Sequence, residues 1–72
     1  MDTRLLEQIG LTKGESRVYL SLLKLGNSKT GQLASLASVS SSKVYKILDR
    51  LEKKGLVGHV MKGNIKYFSS ME

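Results

Sequence analysis

The stretch Ser40 to Val57, reading Ser-Ser-Ser-Lys-Val-Tyr-Lys-Ile-Leu-Asp-Arg-Leu-Glu-Lys-Lys-Gly-Leu-Val, limits the fold more than any other. Val44, Ile47, Leu48 and Leu51 recur at three- and four-residue spacing, the mark of one buried helical face. The serines before them can cap a helix N-terminus, because a hydroxyl accepts from backbone amides that have no intrahelical partner. Gly55 can end the helix in the left-handed conformation that costs glycine little. At 100° per residue the four apolar side chains fall within about 50° of one direction. Ser42, Lys46 and Lys53 fall opposite, with Lys43 and Arg50 along one edge of that polar side and Tyr45 and Asp49 along the other.

The segments before it supply a matching frame. Thr30 is placed to cap a short helix that turns Leu33, Leu36 and Ala37 inward, and Ala34 allows close approach. Ser38-Val39-Ser40 then forms the turn, with Val39 plugging the corner. A short helix, a tight turn and a longer helix with a polar outer face make a helix-turn-helix, whose second helix enters the major groove. Upstream, Thr12 and Glu15 have the spacing of a capping box. Val18, Tyr19, Leu22, Leu23 and Leu25 follow on a wide stripe that Gly26-Asn27 stops, which predicts a central packing helix. Near the start, Leu5, Leu6 and Ile9 mark a two-turn helix ended by Gly10. A helix so short is marginal alone and must dock on its own domain or on a second copy.

After Gly55 the period changes to that of strands. Residues 56–61 and 65–69 are β-rich runs separated by Lys62-Gly63-Asn64, a turn signal. They predict a hairpin that must pack on the helices, since two strands alone are not stable. Alternation does not decide between Tyr67 and Phe68; the expectation is Tyr67 inward and Phe68 partly exposed or at a contact. The whole is read as one domain over residues 1–72, mainly α with a small β-hairpin. It is a winged helix-turn-helix with a three-helix core, a two-stranded wing and a short extra N-terminal helix.

Composition narrows the function. Cysteine is absent and His59 is the one histidine, so neither a disulfide framework nor a thiolate metal site is expected, and His59 is read as a surface strand residue. No cofactor is called for. No apolar run approaches the roughly 18 residues of a membrane span, and a cytoplasmic protein is the default. Twelve Lys and Arg stand against six Asp and Glu, a net charge of +6. Residues 1–39 carry a surplus of two and residues 40–72 a surplus of four. The excess sits on the organising helix and the hairpin, and a polyanion is the natural partner.

These observations converge on sequence-specific binding of double-stranded DNA for transcriptional regulation, with recognition helix 41–54 in the major groove and wing 56–69 on the flanking backbone or minor groove. Ser41, Ser42, Tyr45 and Lys46 are expected in the groove, because lysine can donate to guanine acceptors and hydroxyls can serve base edges. Lys43, Arg50 and Lys53 are expected on the backbone, with Lys62, Asn64 and Lys66 of the wing and Thr30 at the start of the preceding helix. A reader this small contacts few base pairs, so a homodimer is expected. Leu5, Leu6, Ile9 and Phe68 are the residues for the shared surface, or else they close the monomer's core. The alternative is a winged helix used as a protein–protein interaction module, which predicts an acidic partner and no duplex affinity. An enzyme is not expected: there is no glycine-rich phosphate loop after a strand, no paired carboxylates and no histidine base.

The wording of the chain goes further than the generic fold. Leu5-Leu6-Glu7-Gln8-Ile9-Gly10-Leu11-Thr12, Val18-Tyr19-Leu20-Ser21-Leu22-Leu23-Lys24-Leu25-Gly26, Lys43-Val44-Tyr45-Lys46-Ile47-Leu48 and Leu51-Glu52-Lys53-Lys54-Gly55-Leu56-Val57 resemble the N-terminal domain of the TrmB family. That family comprises mostly archaeal transcriptional regulators, many of them sugar-responsive. The resemblance covers nearly the whole chain and implies a winged helix-turn-helix that binds DNA. Where the family often has Pro and Arg just before the recognition helix, this chain has Ser40 and Ser41, which removes one cation from the DNA-facing side. Many family members also carry a long C-terminal effector domain. No small-molecule effector site is evident in these residues.

Overall fold

The computed structural model describes residues 2–71. Its elements are α1 (Arg4–Gln8), α2 (Lys13–Leu25), α3 (Thr30–Ala37), α4 (Ser41–Lys53), β1 (Val57–Lys62) and β2 (Ile65–Ser70). This is the expected mainly helical fold with a small antiparallel hairpin.

The core is aliphatic and continuous. Val18 and Leu22 of α2, Leu33 and Ala37 of α3, and Val44, Ile47, Leu48 and Leu51 of α4 meet Leu11, Val57 and Phe68, each at most 5% exposed. Leu6, Tyr19, Ala34, Val39 and Leu56 pack around them, half-buried. Leu23 and Leu25 on α2 and Leu36 on α3 are exposed instead. The stripe expected on each helix is narrower than its count of leucines, because a small core has room for only one side of each helix.

The ends of the helices show why they begin and stop where they do. At α2 the capping box is complete: Glu15 N–H donates to Thr12 Oγ1 at 3.1 Å, and Thr12 N–H donates to Glu15 Oε1 at 2.9 Å. The α3 cap corrects the assignment of Thr30, because Lys29 is the N-cap and Thr30 the first helical residue. Lys29 N–H is satisfied by Gln32 Oε1 at 3.1 Å. Ser38, in the left-handed region at φ 57°, makes the turn from α3 to α4. At α4, Ser40 is the N-cap in extended conformation, but its hydroxyl does not bond the first-turn amides as expected; it lies 3.5 Å from the Ser42 hydroxyl. The other end of α4 closes on Gly55 at φ 77°. There Gly55 N–H donates to Glu52 O and Leu56 N–H to Leu51 O, each at 2.9 Å, the paired bonds of a Schellman motif.

The hairpin corrects one expectation. Its connection is the two residues Gly63-Asn64, with Lys62 opposite Ile65 and Val57 opposite Ser70. Gly63 takes φ 63°, as the first central residue of a type II′ turn requires. In this register Phe68 lies on the same face as Val57 and is 3% exposed, whereas Tyr67 faces the other way and is only half-buried. A three-residue connection through Lys62 would pair Met61 with Ile65 and put Tyr67 beside Val57. One residue of slip exchanges the two faces of a strand, and the two-residue turn decides for Phe68. The backbone of Phe68 also pairs with Ser28 through bonds of 3.0 and 2.8 Å. The short stretch before α3 thus adds a third strand-like rung to the wing.

Candidate nucleic-acid interface

Burying Val44, Ile47, Leu48 and Leu51 fixes how α4 is rotated and therefore what it shows to solvent. Ser41, Ser42, Lys43, Tyr45, Lys46, Arg50 and Lys53 are all exposed on it. Two neighbours flank this face. On the Tyr45 edge, Thr30 Oγ1 at the start of α3 lies 3.3 Å from the Tyr45 hydroxyl. On the Lys43 and Arg50 edge, the first turn of α2 comes alongside, and Thr12, Gly14, Lys43, Lys46, Ile47 and Arg50 line a cavity of about 370 Å³. The face is thus framed by the beginnings of two other helices.

The cations on this face are not equivalent. Among the described residues, Lys43 and Lys46 have no ion-pair partner within α4 or outside it. Lys53 Nζ is 3.1 Å from Asp49 Oδ2, both well exposed, so the pair is loosely held and readily exchanged for another anion. Arg50 is different. Its Nε donates to Glu15 Oε2 at 2.8 Å, and Glu15 is 1% exposed. Lys54 Nζ donates to the other oxygen, Oε1, at 3.1 Å. Burial alone would raise the Glu15 carboxyl. The Thr12 N–H and the Arg50 and Lys54 side chains outweigh it and bring the carboxyl down from 4.5 to about 2.

Glu15 and Lys54 are the parts that the sequence reading missed. Its spacing from Thr12 marks Glu15 as a capping residue, yet it also lies about 20° from Leu22 around the helix, on the buried stripe of α2. A carboxylate on that stripe demands a cation from the facing element, and α4 supplies two.

On the wing, Lys62, Asn64 and Lys66 are exposed around the turn. Lys62 Nζ stands 5.2 Å from the Tyr67 ring centroid and Lys66 Nζ 5.6 Å from that of Phe68. They form a group apart from the α4 cluster. His59 Nδ1, at the base of β1, lies 3.0 Å from Glu52 Oε2 on α4 and ties the wing to the helix. Of the residues expected on a shared surface, Leu5 and Ile9 are 77% and 73% exposed. Leu6 packs against the core. Phe68 is interior, and so is not presented at the surface, because the hairpin register turns it inward.

Residues 6–70 match the family described as sugar-specific transcriptional regulator TrmB. Over 52 residues, 72% of this chain, the sequence is 42% identical to the HTH-type sugar-sensing transcriptional regulator TrmBL1 of Pyrococcus furiosus, and it spans 15% of that protein's length. Among solved structures, YusO of Bacillus subtilis superposes with a TM-score of 0.82 at 28% identity, over 96% of this chain and 51% of that one. A MarR-family transcriptional regulator from Silicibacter pomeroyi superposes with a TM-score of 0.84 at 23% identity, over 97% and 47%, a likeness of fold alone. The family that the chain matches is one of transcriptional regulators, not of enzymes. Among the described residues no helix is long and apolar enough to cross a membrane.

Proposed function

This chain belongs to the TrmB family of transcriptional regulators, and from that premise we propose that it binds duplex DNA sequence-specifically through α4. One observation carries the reading. The buried face of α4 locks the helix in rotation, and its opposite face offers Ser42, Tyr45, and Lys43 and Lys46, which have no ion-pair partner among the described residues. In the major groove Lys46 would donate to guanine acceptors, and Ser41, Ser42 and Tyr45 would serve base edges or phosphates. Lys43, Arg50, Lys53 and Thr30 would grip the backbone, and Lys62, Asn64 and Lys66 would lie along the flanking phosphates or minor groove.

The functional unit in this proposal is a homodimer in the cytoplasm, bound to a pseudo-palindrome. The nearly naked pair Leu5, in α1, and Ile9, at its C-cap, supports a shared apolar surface. Sedimentation of Leu5→Asp/Ile9→Asp tests it: the variant should run as a monomer where the parent runs as a dimer. Sugar sensing would belong to other parts of such regulators, given the share of the relative that this chain spans.

Titration of a labelled duplex across salt concentrations tests the main proposal. With roughly six to eight phosphate contacts per dimer, affinity should fall about 10³-fold or more between about 50 and 200 mM salt. A flat response would remove the assignment. Selection from random duplexes should then enrich a palindrome.

A further inference from the structure

A helix in the major groove, about 12 Å wide, has a sugar–phosphate strand along each of its long edges. On α4 the two edges are built differently. The Tyr45 edge offers two hydroxyls in contact with each other. The opposite edge borders the cleft between α4 and the first turn of α2. The floor of that cleft is Gly14 and Ile47, where a Cβ on Gly14 would stand 3.3 Å from Ile47 Cδ1. Its walls are Thr12 at the N-cap of α2 and Lys43, Lys46 and Arg50 on α4. Three cations at i, i+3 and i+7 therefore line one hollow, and among the described residues no carboxylate lines it.

Arg50 is held in a particular way. Its Nε is taken by the buried Glu15 at 2.8 Å, which fixes the plane of the guanidinium and leaves the two terminal amino groups as donors. Guanidinium geometry suits two-point recognition of a phosphate. Thr12 Oγ1 accepts from Glu15 N–H, so its own O–H can donate outward.

We propose that this cleft seats one DNA backbone phosphate, shared by Lys43 and Arg50 with the Thr12 hydroxyl, and that Glu15 is the positioning residue that orients Arg50 for it. The seat rests on the duplex-binding reading above. It adds that α2, outside the helix-turn-helix, anchors the strand on that edge of the groove.

The test is a salt titration of a labelled mixed-sequence duplex with the full chain and with Lys43→Gln, Arg50→Gln, the double variant and Lys54→Gln, each checked for folding by circular dichroism. Each neutralised phosphate contributes about 0.9 to the slope of log affinity against log salt. If Lys43 and Arg50 share one phosphate, each single change lowers the slope per protomer by less than this. The double change then lowers it by about 0.9. A loss near 1.8 in the double variant would mean two separate phosphates and would overturn the shared seat. Lys54 also bonds Glu15 but does not line the cleft, so Lys54→Gln should leave the slope unchanged. A loss equal to that of Arg50→Gln would show that net charge alone is being read.

Glu15→Gln separates positioning from charge. Removing a negative charge should tighten binding if only net charge matters, and weaken it several-fold if Arg50 loses its orientation. Tighter binding overturns the positioning role. If Arg50→Gln does not fold, Arg50→Lys replaces it: the charge stays and the planar fork goes, so affinity should fall, and parental affinity would overturn the seat. A flat salt response in the parent chain would instead remove the duplex reading itself.

Discussion

Along α4 every aliphatic side chain turns inward, Val44, Ile47, Leu48 and Leu51 being 0–5% exposed, whereas the hairpin buries Val57 and Phe68 and leaves Val60, Met61 and Ile65 about half exposed. The helix runs across the core and touches α2 and α3 along its length. The strands leave it. At about 3.3 Å per residue, Met61 lies about 13 Å beyond Val57, past anything the helices can cover. The recognition helix is thus held by a continuous surface and the wing by a few points near its base: Val57, Phe68, the Ser28 rung and the His59–Glu52 contact. A rigid reader with a wing pinned at one end keeps the base-reading face fixed while the tip can settle on whatever backbone lies beside it.

The largest test of this contrast is on the wing's own anchor. Phe68→Ala removes a ring that is 3% exposed and should cost about 3–5 kcal/mol, enough to unfold much of so small a domain at room temperature. Tyr67→Ala, one residue away on the outer face, should cost about 1 kcal/mol, since a half-buried side chain recovers only part of a full burial term. Urea denaturation gives both numbers. Equal losses would mean that the wing is held along both faces and the comparison fails.

Next in size is the ion cluster that fastens α4 to the start of α2. With its carboxyl at about 2 in the folded chain against 4.5 as the reference, Glu15 contributes stability that is fully present above pH 4.5. That contribution is lost as the pH falls toward 2. At full strength it is about 3 kcal/mol, and less once solvent screens the exposed ends of Arg50 and Lys54. Thermal melts from pH 6 to pH 2 should therefore show a steep acid limb that Glu15→Gln flattens. An acid limb unchanged in Glu15→Gln would place the helix-to-helix fastening elsewhere.

The same two regions show what could be read in advance from the sequence. The period of α4, the Thr12–Glu15 capping box and the hairpin all follow from local chemistry: apolar spacing, a hydroxyl three residues before a carboxylate, a glycine at a stop. The faces of the wing depended on whether Lys62 belongs to the turn or to β1, a one-residue choice that alternation of Tyr67 and Phe68 cannot settle. The pairing of Glu15 with Arg50 and Lys54 spans 35 and 39 residues. Only the packing of α2 on α4 brings them together. Local rules gave Glu15 its cap, and tertiary structure gave it a second duty that withdraws Arg50 from the freely solvated cations.

A smaller effect separates base reading from backbone gripping. Lys46→Gln on the fixed helix should relax preference at one base position by about 1–3 kcal/mol. Lys66→Gln on the wing should weaken every duplex about equally and reduce the salt slope by about 1. Competition titrations against a panel of single-base variants of the selected site report both. If the two changes produced the same pattern, α4 and the wing would not differ in what they read.

The smallest expected effect bears on the joint between the regions. His59 Nδ1 and Glu52 Oε2 are 3.0 Å apart with side chains 34% and 30% exposed, and the His59 ring leans on Phe68 at 5.8 Å between centroids. A contact this open to water is worth less than about 1 kcal/mol. Yet it is a side-chain tie between the recognition helix and the outer strand of the wing, which is otherwise held by the buried Val57 at its start and by its pairing with β2. A double-mutant cycle of His59→Asn and Glu52→Gln should return a coupling energy of about 0.2–1 kcal/mol in global denaturation. Amide exchange in β1 should quicken more than exchange in α4, because local opening needs only the pinned element to release. Exchange that rose equally in both would mean that helix and wing open as one unit, and that the wing is as firmly seated as the helix it serves.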